Sequence, residues 1–350
     1  MTSRTAPLTL DIRIESWPLK TAFRITGRVF ETIEMVVVTL GRDGFEGRGE
    51  AAGIYYLGDD TQAIVATLEA RRGEICRDPG REAVQSLLPP GGARNALDCA
   101  YWDLDSQGAG APVWQLAGLS EPQPLTTTFT LGADTPEAMA ARAAAWTEAR
   151  ALKLKLTGEP VDIDRVRAVR AARPEVWIAV DANQGYDRAG LKKALPVFHE
   201  AGIALVEQPL AIGREADLDG LDSPIPLAAD ESVQSLADIA PLAGRFDAIN
   251  IKLDKCGGLT EAFLMAEEAK RLGMKVMVGN MVGTALSVAP ALLVGQFCDI
   301  VDLDGPFLLA DDRNPPTQYK NGYVTCPPQI WGTPRAAKTS RRPSLAAGSQ

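Results

Sequence analysis

The sequence predicts an α/β fold, a (β/α)8-type barrel (a modified TIM barrel) that follows an N-terminal α+β domain. Three short apolar runs each carry a carboxylate near their carboxyl end: residues 177–183, 204–208 and 227–231. They follow one another at intervals of about 25 residues, which accommodates one strand, one helix and two short loops. From residue 125 onward strand-like and helix-like segments alternate, and eight strand-like segments occur. Eight such units are the composition of a closed barrel.

The barrel strands are recognisable as short apolar runs because a parallel strand is buried on both faces. In chain order, the predicted strands are residues 125–131, 152–156, 177–183, 204–208, 227–231, 248–253, 275–279 and 300–304. The predicted helices are residues 136–150, 162–172, 188–201, 235–243, 260–272 and 286–294. Residues 125–310 are therefore assigned to the barrel.

The first third of the chain has a different pattern. Its strand-like segments are residues 8–17, 35–40 and 45–51. The GRDG sequence before residue 45 is a hairpin signal, which indicates antiparallel pairing. Helical patterns follow over residues 61–76, 81–88 and 93–107. Residues 1–120 are therefore predicted to form an α+β domain.

The remaining segments join or follow these two domains. Pro122 and Pro124 mark the linker between them. Residues 311–332 are predicted to pack back onto the first domain. The tail, residues 333–350, is rich in Ser, Pro and Arg and is predicted to be disordered.

Composition and charge exclude several classes of protein. The 350 residues carry a formal net charge of −9 and no basic stripe, which argues against a nucleic-acid partner. No apolar run reaches the roughly 18 residues of a membrane span, and the N-terminus lacks the apolar core of a signal peptide. Five scattered cysteines without a CxxC motif favour reduced thiols in the cytoplasm. The expected partner is a small-molecule substrate, and the sequence is compatible with a homo-oligomer.

The chain has a single histidine, His199, near the end of a predicted helix. Catalytic triads, histidine-rich zinc sites and histidine general bases would all need this residue, and its context does not suit them. Acid–base chemistry therefore falls to Lys, Asp, Glu, Tyr or Cys.

Three carboxylates lie at the carboxyl ends of neighbouring predicted strands: Asp181, Glu207 and Asp230. In a barrel these strand ends converge on one mouth. Three acids there repel one another unless a cation neutralises them, so the pattern predicts a metal site. Carboxylate oxygens suit Mg²⁺, and zinc is disfavoured because no His or Cys joins the set.

Three lysines are predicted to face the barrel interior. Lys153 and Lys155 alternate with leucines in LKLKL, so they share one side of their strand. We expect the two ammonium groups to lower each other's pKa, which would suit a lysine base. Lys252 lies four strands further on and is expected to face Lys155 across the barrel. The alternatives are a surface strand for the pair, and an ion-pairing role for Lys252.

The combination of KxK, a strand-end Asp, VEQP, ADES, NIKLDKxGGLTEA and DLDGP resembles the enolase superfamily over about residues 8–330. Within it the pattern resembles the muconate-lactonizing subgroup, whose N-terminal domain caps the barrel. The resemblance implies that Mg²⁺ is the cofactor. It also implies two acid–base lysines, a third lysine that supports them, and a carboxylate triad for the metal: Lys155, Lys252, Lys153, Asp181, Glu207 and Asp230.

Asp302 and Asp304 narrow the resemblance to the dipeptide epimerases, of the L-Ala-D/L-Glu type. In that group a DxD at this position binds the α-ammonium of the dipeptide. The alternative is a pair of structural acids that accept hydrogen bonds from loop amides. The resemblance also places Arg24 against the distal carboxylate of the substrate and Tyr55, or the adjacent Tyr56, in the second side-chain pocket. The alternative for Arg24 is a surface residue.

The activity implied is Mg-dependent epimerisation of dipeptides by two-lysine 1,1-proton transfer through an enediolate. One lysine would remove the α-proton and the opposite lysine would return a proton to the other face. The alternatives are an o-succinylbenzoate synthase, an N-acylamino-acid racemase or a cycloisomerase of the same superfamily. A non-catalytic metal-binding protein is the remaining alternative.

Overall fold

The computed structural model describes residues 8–25 and 28–335 of the chain. The side chains of residues 23–29 and of Tyr55 are not described. The predictions for Arg24 and Tyr55 therefore lie outside the described residues, as does the predicted disorder of residues 336–350.

The first domain contains an antiparallel sheet of three strands: β1 (Thr9–Ile25), β2 (Arg28–Arg42) and β3 (Phe45–Ala51). Its helices are α1 (Thr61–Ala70), α2 (Arg72–Ile75), α3 (Arg81–Leu87), α4 (Gly92–Ala109) and α5 (Val113–Leu116). Helix α4 packs directly on β3. A Cβ atom on Gly49 would lie 2.1 Å from the carbonyl oxygen of Ala96, so only glycine permits this approach.

The second domain is built on eight parallel strands that are neighbours in chain order. They are β5 (Thr128–Leu131), β6 (Ala151–Lys155), β7 (Trp177–Asp181), β8 (Leu205–Glu207), β9 (Leu227–Ala229), β10 (Ala248–Ile251), β11 (Lys275–Gly279) and β12 (Ile300–Asp302). The helices are α6 (Pro136–Ala145), α7 (Asp162–Ala172), α8 (Arg188–Glu200), α9 (Ile239–Leu242), α10 (Leu253–Cys256), α11 (Leu259–Arg271), α12 (Ala285–Gly295) and α13 (Gly305–Leu308). The predicted modified TIM barrel with an α+β capping domain is confirmed.

The seam between β12 and β5 closes the barrel through side chains. A closed barrel of eight strands has eight pairs of neighbouring strands. In the described part of the chain, backbone hydrogen bonds join seven of these pairs but not β12 and β5. The Thr128 hydroxyl donates to Asp302, and the Thr130 amide donates to Asp304 at 2.6 Å. The Leu303 amide donates to the Thr127 hydroxyl at 2.8 Å. Asp302 and Asp304 therefore stand where the first and last strands meet.

The strand predicted over residues 125–131 is two strands. Residues Leu125–Thr126 form β4, which pairs with β14 (Tyr323–Thr325) in a small antiparallel sheet that also contains β13 (Gln318–Lys320). The chain leaves this sheet at Thr127, whose amide donates to the Gly322 carbonyl. The continuous apolar pattern concealed this break.

Two predicted helices are shorter than expected. The helix predicted over residues 136–150 ends at Ala145, and residues 235–243 form a 3-10 turn (Leu236–Asp238) followed by the four-residue α9. Arg173, which follows α7, donates hydrogen bonds to the carbonyl groups of Ala143 and Ala149 and so satisfies carbonyl groups at and after the end of α6.

None of the helices in the described part of the chain is both long and apolar enough to cross a membrane.

Candidate active site

A cavity of about 300 Å³ lies between the barrel mouth and the first domain. Its barrel side includes Lys153, Lys155, Asn183, Asp230, Glu231, Lys252, Asp302 and Asp304. The first domain contributes apolar and aromatic residues (Phe30, Ile33 and Tyr56) together with the acids Glu34, Asp59 and Asp60. Six of the predicted site residues thus line one cavity: Lys153, Lys155, Asp230, Lys252, Asp302 and Asp304.

The three strand-end carboxylates form one buried cluster. One oxygen from each of Asp181, Glu207 and Asp230 lies within 4.8 Å of the others. Asp181 and Glu207 are direct partners in the β7–β8 register, which explains why they are adjacent. Three buried oxygen donors without His or Cys are a ligand set that fits a hard cation such as Mg²⁺.

Each of two lysines lies against one member of this cluster. The Lys155 ammonium is 2.6 Å from Asp181, and the Lys252 ammonium is 2.6 Å from Asp230. Strands β6 and β10 are four positions apart in the order of the barrel, so these lysines approach the cluster from opposite sides. Leu152 and Leu154 face the other way and pack in the apolar core against the helices.

Lys153 lies beneath Lys155 and contacts three acids. Its ammonium is 3.1 Å from Asp181, 2.8 Å from Glu207 and 2.8 Å from Asp302. The expectation that the neighbouring lysine lowers the pKa of Lys153 is wrong. Burial does lower it, but the surrounding carboxylates outweigh burial and raise the pKa of Lys153 well above its ordinary value.

The carboxylates of the cluster differ in acidity. Burial opposes ionisation of Asp181, but Lys153 and Lys155 outweigh it and lower its pKa to about 2. For Asp230 the ammonium groups of Lys252 and Lys255 likewise overcome burial and hold its pKa well below the ordinary value. Burial and the charge of Asp181 raise the pKa of Glu207 to about 8. The three carboxylates therefore do not ionise alike: Asp181 and Asp230 lose their protons readily, and their negative charge makes ionisation of Glu207 harder.

Asp302 and Asp304 have different surroundings. Asp302 accepts hydrogen bonds from the Lys153 ammonium and the Thr128 hydroxyl. Asp304 accepts from the Thr130 amide, and among the described residues no cation pairs with it. Burial and the nearby charge of Asp302 raise the pKa of Asp304 to about 7. Asp304 is thus a buried carboxyl group without a counterion, next to a second acid.

Two polar residues that contact the cluster were not assigned to the site from the sequence. Lys255 donates to Asp230 Oδ1 at 2.5 Å and to the Asn250 carbonyl at 3.0 Å. The Asn250 amide donates to Glu207 at 2.9 Å. Asn250 shares the strand face of Lys252, so its position was available from the alternation. Lys255 belongs to α10, where the period of two no longer applies.

A loop of the first domain is attached to the barrel beside the cavity. Asp254 Oδ1 accepts hydrogen bonds from the amides of Ala52 and Gly53 at 3.0 and 3.1 Å. Tyr56 follows in this loop and lines the cavity. The Asp254 carboxylate of the barrel therefore fixes the start of the first-domain loop that carries Tyr56.

The fold and the site together define a capped-barrel enzyme with two lysines on opposite sides of a carboxylate cluster. The chain belongs to the mandelate racemase/muconate lactonizing enzyme family of the enolase superfamily, and it is an isomerase of the racemase and epimerase class. Residues 8–118 match the family model described as "Mandelate racemase / muconate lactonizing enzyme, N-terminal domain". Residues 138–330 match "Enolase C-terminal domain-like". The resemblance seen in the sequence is confirmed.

The relatives include two activities. The L-Ala-D/L-Glu epimerase of Escherichia coli (strain K12) is 35% identical over 318 residues, which are 90% of this chain and 99% of that protein. An N-acetyl-D-glutamate racemase of Pseudoalteromonas sp is 39% identical over 249 residues, 71% of this chain and 78% of the relative.

A solved structure is also similar over nearly the whole chain. It is a crystal structure of an enolase family member from Agrobacterium tumefaciens with homology to dipeptide epimerases, with bound sodium and L-Ala-L-Glu. The TM-score is 0.90 at 40% identity, and the match covers 93% of this chain and 100% of that chain.

Proposed function

We propose that this protein is a Mg²⁺-dependent dipeptide epimerase that inverts an α-carbon by proton transfer between two lysines. The observation that carries the proposal is the buried Asp304, which lines the same cavity as Lys155 and Lys252. Among the described residues, no lysine or arginine forms an ion pair with it. A free α-ammonium is the group that such a carboxyl group would bind. The epimerase relative and the dipeptide-bound structure support this substrate class.

Asp181, Glu207 and Asp230 would hold the metal, because they supply three buried oxygen donors within 4.8 Å. When bound, Mg²⁺ would neutralise the substrate carboxylate and so make the adjacent α-proton more acidic. Lys155 and Lys252 each form an ion pair with one of these acids. Their ammonium groups would therefore lie on opposite sides of a substrate whose carboxylate contacts the metal, which supports their proposed role as the two proton carriers.

The two lysines would act in opposite states of protonation. The neutral lysine accepts the α-proton from one face, and the protonated lysine donates a proton to the other face. After one turnover the two lysines have exchanged states, so the reverse reaction starts from the opposite epimer. Lys153 has the role of a fixed cation, since three carboxylates surround it.

The second candidate function is racemisation of N-acylated amino acids. The Pseudoalteromonas racemase, 39% identical, favours it. Such substrates have an amide in place of the ammonium, so they offer nothing to neutralise Asp304. A buried carboxylate without a partner is costly, and this cost disfavours the acylated substrates.

The Asp304→Asn variant tests the choice between the two functions. It removes the charge that would pair with the ammonium. Charge-assisted hydrogen bonds contribute on the order of 1.5–3 kcal/mol, so kcat/KM for free dipeptides should fall roughly 10–150-fold. Deuterium incorporation at the α-carbon, followed by mass spectrometry in D₂O, measures this loss.

N-acetylated forms of the same dipeptides are the matched control. The wild type should process them poorly, and Asp304→Asn should reduce that residual rate little further. If the wild type prefers the capped substrates, the dipeptide assignment is wrong and the N-acylamino-acid racemase remains.

Arg24 is proposed to select the second residue of the dipeptide. If its guanidinium pairs with a distal carboxylate, Arg24→Ala should raise the KM of Ala-Glu about tenfold. The KM of dipeptides with an apolar second residue should change little. Steady-state kinetics on both substrates distinguish this role from a structural one, for which both KM values would change alike.

A further inference from the structure

Apolar side chains from both domains form one cluster over the cavity, which we call the roof. Phe30 and Ala52 of the first domain pack against the same buried core as Val282 and Leu308 of the barrel. All four residues line the cavity. A substrate held at the barrel mouth would contact this roof, so the placement of the roof should affect how tightly the substrate binds.

Glu50 joins the two segments that supply Ala52 and Val282. It lies two residues before Ala52, and its partner Thr284 lies two residues after Val282. Both Glu50 and Thr284 are buried. Glu50 Oε1 accepts a hydrogen bond from the Thr284 amide at 2.8 Å, and Oε2 accepts from the Thr284 hydroxyl at 2.5 Å. The first domain and the barrel are therefore linked directly beside the roof.

Arg313 completes this contact with a positive charge. Its Nη2 lies 2.5 Å from Glu50 Oε2 and 2.8 Å from a carboxylate oxygen of Glu15 in β1. Its Nε donates to the Thr284 hydroxyl at 2.7 Å. A buried carboxylate is tolerated when its charge is paired and its oxygens accept hydrogen bonds. Glu50 meets both conditions, and its partners fix its orientation.

The loop that begins at Ala52 is a compact unit. The Asp59 amide donates to the Ile54 carbonyl at 3.2 Å. A Cβ atom on Gly53 would lie 2.0 Å from the carbonyl oxygen of Asp59, so only glycine permits this approach. A displacement at the start of the loop would therefore move residues 52–60 together.

We propose that Glu50 is a positioning residue, which sets the roof over the substrate through its bonds to Thr284 and so determines how tightly a dipeptide binds. The inference rests on the proposed function only for the choice of a dipeptide as the ligand. The ion pairs of Lys155 and Lys252 involve neither Glu50 nor Thr284. Loss of the link should therefore weaken substrate binding more than it slows the chemical step.

Thr284→Val in the full-length protein is the principal test. It removes the hydroxyl bound by Glu50 and keeps every charge. The KM for a free dipeptide should rise about fivefold, and kcat should stay within about twofold. Glu50→Gln should raise the KM at least as much, and Thr284→Val decides the question where Glu50→Gln does not fold. The conservative Thr284→Ser keeps the hydroxyl, and its KM should lie within about twofold of the wild-type value.

Thr260→Val is the matched control. The Thr260 hydroxyl, on α11, donates to the buried carboxylate of Asp98 on α4 at 2.6 Å. The same substitution thus removes the same kind of bond between the same two domains, and neither partner is among the described residues that line the cavity. Its KM should stay within about twofold of the wild-type value, even at an equal loss of thermal stability. The inference is overturned if both valine variants raise the KM alike, or if Thr284→Val leaves it unchanged.

Amide hydrogen exchange, followed by mass spectrometry without substrate, gives a readout that needs no turnover. Thr284→Val should accelerate exchange in residues 52–60 and 280–283 about fivefold, and Thr260→Val should not. Unchanged exchange in both segments of Thr284→Val would contradict the role of Glu50. A wild type inactive on every free dipeptide would refute the proposed function, whereas the exchange comparison would still decide whether Glu50 positions the roof.

Discussion

Replacement of either Lys155 or Lys252 by alanine is expected to lower kcat for epimerisation roughly 10²–10⁴-fold. Each lysine lies against a different acid of the cluster, at 2.6 Å in both cases, on opposite sides of the barrel. Inversion needs a base on one face of the α-carbon and an acid on the other. A single remaining lysine can serve only one face.

The Lys155→Ala and Lys252→Ala variants should differ in the substrate stereoisomer whose α-proton they still exchange with solvent. In D₂O each single variant should exchange the α-proton of one stereoisomer only, and the two variants should prefer opposite stereoisomers. Chiral separation with mass spectrometry measures both epimers. The exposed Lys193 on α8 supplies a control, since Lys193→Ala should have wild-type kinetics. If both active-site variants interconvert the epimers at the wild-type rate, the two-lysine mechanism is wrong.

The second large effect is expected from the carboxylate cluster. Asp181→Asn, Glu207→Gln and Asp230→Asn should each weaken Mg²⁺ binding and remove most activity. A bound metal contributes several kcal/mol of charge stabilisation, so the rate should fall roughly 10²–10³-fold. The side chains are buried, and no other carboxylate among the described residues joins the three in a common site.

Activity measured with and without added MgCl₂, after treatment with a chelator, checks this prediction. Glu267→Gln, on the exposed face of α11, removes one negative charge far from the cavity and should behave as the wild type. The metal assignment is contradicted if all three cluster variants keep wild-type activity in the absence of added metal.

Much of the site was available from the sequence because strand geometry is local. Alternation with a period of two placed Lys153 and Lys155 on one face and their leucines on the other. The ends of consecutive parallel strands meet at one edge, so Asp181, Glu207 and Asp230 were expected together. In the structure Asp181 and Glu207 are neighbours in register. The barrel class followed from the same reasoning, applied to eight alternating units.

Other features depend on contacts between segments distant in sequence. The sequence of residues 125–131 did not reveal that the segment divides at Thr127 into β4 and β5. The strand that pairs with β4 is β14, which lies almost 200 residues away in the sequence. Lys255 contacts Asp230 from the four-residue helix α10, where the strand period of two does not apply. No local pattern predicts either contact.

The sequence by itself determined which residue types meet at the barrel mouth and on which side of each strand they lie. The tertiary structure alone decided how their charges are shared. Sequence reasoning paired Lys153 with Lys155 and expected a lowered pKa, whereas in the folded chain Lys153 lies among Asp181, Glu207 and Asp302 and its pKa is raised. Coulomb interactions depend on distances in space and on burial, and strand periodicity specifies neither across a closed barrel.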